Sequence, residues 1–174
     1  LISKGGLPHS TKDGISVATV DPWLRRPFGN SIVFEGERVT SLARPLVNQA
    51  IEIISKWRPA LAKELHKTSG TVQFIRDLSA HQDKIVSFSD NEVPGALYMS
   101  VVQGGNLIDA YDLADSLIHE HRHQKLYLLE RLAPTVKPTT MKVISPWRED
   151  LRPPSGLLHA AFVFVELRRF WLFV

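Results

Sequence analysis

The chain has 174 residues, 44% of them hydrophobic, with a formal net charge of +3, seven histidines and no cysteine. That length supports one globular domain and not two full-sized ones, and the lack of cysteine excludes disulfides, thiolate metal sites and cysteine nucleophiles, leaving His, Asp and Glu as metal ligands. Lys and Arg are scattered among acids, which argues against nucleic acid; the most apolar stretch, 157–174, carries Glu166, Arg168 and Arg169 and reads as a buried helix, not a membrane span. These features fit a cytoplasmic protein.

Residues 1–30 are rich in Gly, Pro, Ser and Asp with no sustained period, and read as an extended or loop-like lead-in. Residues 31–174 read as a single metal-binding domain, and the non-Met start with the apolar finish at 170–174 points to a fragment of a longer chain. A short strand is expected at 31–35. Over 40–66, Leu42, Leu46, Ala50, Ile54 and Trp57 recur at helical spacing, with Pro59 kinking or splitting the helix. A further helical stretch is expected around 72–78. Strands at 84–88 and 96–102 flank the turn-rich Ser89-Asp90-Asn91-Glu92-Val93-Pro94-Gly95, predicting a hairpin or meander; the second strand is a candidate edge for an added peptide strand, although an internal strand is the plainer reading.

From Leu107 the period is helical again: Leu107, Ala110, Leu113, Ala114, Leu117, Ile118 and Leu129 form an apolar stripe, with Asp109, Asp112 and Asp115 early and Lys125 and Arg131 late, as the helix dipole favours. Pro134 ends it. After a Pro-rich loop, Gly156 opens a last helix over 157–170 that is apolar on nearly every side, which predicts a central position. The expected fold is α+β and mostly helical, with the 107–133 helix packed on the last helix and a small sheet to one side.

Within the long helix, His119-Glu120-His121-Arg122-His123 contains HExxH. Residues four apart share a helix face, so His119 and His123 can present two imidazoles to one ion while His121 points elsewhere; a surface histidine cluster is the alternative. A catalytic site needs a third ligand and open positions. The long zinc-peptidase pattern would put a His at position 129 and a Gly at 126, where this chain has Leu129 and Leu126, and that subclass is excluded. The best third donor is His159 in the apolar last helix, where an unpartnered imidazole is costly; a core histidine bonded to a carbonyl competes with this reading. Glu166, seven residues on, is a rival ligand, a support for a ligating histidine, or a structural partner of Arg122 or Arg169. Trp147 is a packing residue or lines the pocket mouth.

HExxH followed in order by Pro146-Trp147-Arg148, Arg152-Pro153, Ser155-Gly156-Leu157-Leu158-His159 and Arg169-Phe170-Trp171 resembles the HEXXH peptide-modification family of gene clusters for ribosomally made, post-translationally modified peptides. The ordered elements cover 93–171; the first half shares only the helix and strand pattern. The resemblance implies an Fe(II)- and 2-oxoglutarate-dependent β-hydroxylase acting on a precursor peptide, with His119, His123 and His159 as iron ligands. Glu120 would then position a ligand or the substrate. The distal carboxylate of 2-oxoglutarate calls for a guanidinium, for which Arg148 and Arg152 are the candidates. Two alternatives stand beside this: a zinc metallopeptidase with Glu120 as general base, and a non-catalytic peptide-binding domain.

Overall fold

Among the described residues, four helices cover one face of a six-stranded mixed sheet, giving a mostly helical α+β architecture. The computed structural model describes residues 9–10, 14–18, 21–147 and 150–174. Strand β1 (His9–Ser10) pairs with β2 (Ser16–Ala18), and a 3-10 turn at Pro22–Arg25 leads to β3 (Ile32–Phe34). The lead-in is extended in part: Ile15 and Val17 are fully buried, because residues two apart on an extended chain share a face, here the one turned to the core beside the strand Thr71–Asp77.

Helix α1 (Glu37–Trp57) is followed after one residue by α2 (Pro59–Thr68). Pro59 occupies the first turn of α2, where its missing N–H costs nothing, so it splits the helix and does not kink it. The stretch expected to be helical around 72–78 is instead β4 (Thr71–Asp77), the strand with most partners. Its Val72, Phe74 and Ile75 are buried on both faces of the sheet, and a doubly buried strand reads as an apolar run that spacing alone does not separate from a helix.

Strand β5 (Ser87–Ser89) and β6 (Ala96–Met99) form the expected antiparallel hairpin. In the order β1-β2-β4-β6-β5, β6 is internal and entirely buried, so the edge belongs to β5 and not to the 96–102 strand. A small hairpin, β7 (Val102–Gln103) and β8 (Asn106–Leu107), turns through Gly104 and Gly105, both at positive φ. Helix α3 (Ala110–Leu132) is capped by the Asp109 carboxylate, which accepts from the N–H groups of Tyr111 and Asp112. The short pair β9 (Val143–Ile144) and β10 (Leu151–Arg152) leads to α4 (Pro154–Trp171).

One core lies between helices and sheet, joining Val47, Ile51 and Ile54 of α1, Leu113 and Leu117 of α3, and Val163, Leu167 and Phe170 of α4 to Val72, Phe74, Leu97 and Met99. A second, around Tyr98, Ile75 and Leu24 with Phe28 and Phe88, covers the other face. Helix α4 packs by one face only; Phe164, Val165 and Trp171 stay 38%, 54% and 47% exposed, so the helix is peripheral and not central. No helix among the described residues is long and apolar enough to cross a membrane.

Candidate metal centre

Helix α3 distributes its motif over three faces. Glu120 and, one turn on, Gln124 point to the β5–β6 hairpin: Ser87 and Ser89 donate to the two carboxylate oxygens of Glu120 at 2.6 and 2.7 Å, while Gln124 donates to Asp90 O and accepts from Gly95 N. His121 points to the end of α2, with Nδ1 2.9 Å from Ser69 Oγ; burial holds it neutral by pushing its pKa down to about 4. His119, His123, Tyr127 and Glu130 make the third face, which opposes α4 and lines a cavity of about 480 Å³.

His159 comes from α4 into the same cavity, with Arg152, Trp147 and Phe164. Its ring stacks on His123 with centroids 5.5 Å apart, and the two Nδ1 atoms are 3.2 Å apart. Two nitrogens sharing one ion at about 2.1 Å each stand roughly 3.0–3.4 Å apart between octahedral and tetrahedral geometry, which this pair meets. The His119 ring lies 5.0 Å from that of His123, with Nε2 3.9 Å from Glu120 Oε1. Among the described residues no group of three His, Cys, Asp or Glu side chains is arranged to hold an ion as it stands: two donors are at ligand separation, and His119 is adjacent without converging on them. The donor chemistry nonetheless suits iron or zinc. Burial lowers the pKa of His119, and burial with the neighbouring His119 and His159 pushes His123 down to about 3, so both rings keep the neutral form that a metal requires.

The remaining site candidates divide cleanly. Arg152 lines the cavity, and its Nε donates to both oxygens of Asp150 at 3.2 and 3.3 Å. Arg148 lies outside the described residues. Glu166 is not in the cavity: it is 2% exposed and ion-paired with Arg58 and, at 3.1 Å, with Arg122, which makes it structural. Glu120 is also absent from the cavity lining, and burial raises its pKa to about 7 against the two serine hydrogen bonds. Trp147 does stand at the pocket, 5.3 Å from Phe164. Tyr127 and Glu130 were not anticipated, yet 119, 123, 127 and 130 follow helical spacing, and continuing the stripe past HExxH finds both. The chain matches no protein-family model and no curated protein.

Proposed function

We propose that the chain is an Fe(II)- and 2-oxoglutarate-dependent hydroxylase that acts on a precursor peptide. The observation that carries the reading is the pair of imidazole nitrogens 3.2 Å apart on two helices, in one cavity with His119 and Arg152. His119, His123 and His159 would hold the iron, and Arg152 would grip the distal carboxylate of 2-oxoglutarate through the guanidinium nitrogens that Asp150 leaves open. When bound, the iron and its cosubstrate supply oxidation of an unactivated C–H bond by dioxygen. The chain's own share is to bind, to orient and, through Trp147, Phe164 and Tyr127, to keep the cavity partly dry. The ordered elements after HExxH supply the resemblance that selects an oxygenase and a peptide substrate.

A zinc peptidase uses the same two helical histidines, and a carboxyl titrating near neutrality beside His119 is what such an enzyme would need. Against it, both Glu120 oxygens are already engaged by serines, leaving no oxygen aimed into the cavity to take a proton from water. The test is anaerobically purified protein loaded with Fe(II), given 2-oxoglutarate and oxygen and incubated with candidate precursor peptides. Succinate formation, lost in His159→Ala and in Arg152→Ala, and a peptide gaining one oxygen atom are expected. Zinc-dependent peptide cleavage without succinate would overturn the proposal.

A further inference from the structure

The cavity face of α3 ends in a carboxylate. Glu130 is the single acidic residue among the described residues lining the cavity, and its Oε2 lies 3.1 Å from Nε2 of His159 on the facing helix. Its other oxygen, Oε1, accepts from Thr135 Oγ at 2.6 Å, which fixes the carboxylate's orientation from the chain segment just past α3. An ionised carboxylate only accepts, so the hydrogen in the 3.1 Å contact belongs to Nε2 of the ring. That choice makes Nδ1 the acceptor atom of the His159 ring, open to a proton from His123 or to an ion, and Nδ1 is the atom 3.2 Å from Nδ1 of His123.

We infer that Glu130 is a positioning residue that locks His159 in the Nε2–H tautomer and so presents Nδ1 as its metal-binding atom. This rests on the metal reading of the cavity. The carboxylate acts through the imidazole, holding its tautomer and its ring plane, a role whose loss typically costs about 10–100-fold in metal affinity. Tyr127 packs against the same ring, tilted by 43° with centroids 4.8 Å apart.

Two measurements on the same variants test it. Nitrogen-15 NMR of the metal-free protein reads the His159 tautomer directly: the wild type should carry its proton on Nε2, and Glu130→Ala should shift the ring to a tautomer mixture. Competition for Co(II) against a chromophoric chelator should show affinity falling about 10–100-fold in Glu130→Ala, less in Glu130→Gln, and most in His159→Ala. A wild-type ring protonated on Nδ1 overturns the inference, as does Glu130→Ala binding Co(II) within twofold of wild type. Equal losses in Glu130→Gln and His159→Ala overturn it too, since they would make Glu130 a ligand. If the tautomer depends on Glu130 but wild type binds no Co(II), the metal reading fails and the inference with it. Thermal unfolding of each metal-free variant separates these effects from a stapling role between α3 and α4.

Discussion

Glu120 shows how little a motif's letters say about direction. It follows His119 by about 100° around the helix, and that turn takes it from the cavity to the β5 serines. Glu120→Gln keeps one oxygen acceptor, and the second serine can rotate to accept from the new amide. The expected outcome is stability within about 1 kcal/mol of wild type and retained 2-oxoglutarate turnover. Glu120→Ala orphans two hydroxyls beside a buried space and should cost about 1–3 kcal/mol. Urea denaturation and succinate assays check both; abolition of turnover by the Gln variant alone, in a folded and metal-loaded protein, would contradict this account. The spacing of His119 and His123 was legible in the sequence because four residues on a helix fix a shared face. The engagement of Glu120 was not, since it depends on where a strand more than thirty residues earlier comes to lie.

Helix α4 is held by a charge as well as by its apolar face. Glu166 sits 2% exposed between Arg122 of α3 and Arg58 at the α1–α2 junction, while Arg122 also lies over the Phe162 ring at 4.2 Å. Removing one member of a buried ion pair leaves the other charge uncompensated. Glu166→Ala should therefore destabilise the fold by about 3–5 kcal/mol, mostly through Arg122, which is 11% exposed, with less from the half-exposed Arg58. Metal affinity per folded molecule should stay within a few-fold, because the carboxylate faces away from the cavity; Co(II) titration below the unfolding range reads this, and a loss matching His159→Ala would return Glu166 to the ligand set. At this scale the sequence was uneven. The capped, dipole-matched α3 and the split at Pro59 were legible because their signals are local. The spacing in β4 fits a helix as well as a strand, and the composition of α4 suits a central helix, because burial on both sides of a strand and exposure of an apolar helix face are set by neighbours distant in the chain.

Across the whole molecule, the cavity joins α3 to α4 over a separation of 36 residues, and the two helices otherwise meet through core contacts and the 2.5 Å hydrogen bond from Trp171 Nε1 to Asp115. An ion bound by residues of both helices binds the folded chain and not the unfolded one, so it raises stability by RT ln(1 + [L]/Kd), about 2.7 kcal/mol at one hundred times Kd. For a domain of this size 1 kcal/mol moves the midpoint by about 2–4 °C, which predicts a rise of about 5–10 °C on adding Fe(II) anaerobically or Co(II) in air. Chelation should reverse it. His123→Ala and His159→Ala should each remove most of the rise while leaving the metal-free midpoint little changed, since both rings face the cavity and not the packed core. His119→Ala decides the remaining question: its ring is beside the other two without converging on them, so loss of the metal-dependent rise in this variant makes it the third donor. A rise that persists unchanged would leave a two-histidine site and remove the support for an iron oxygenase.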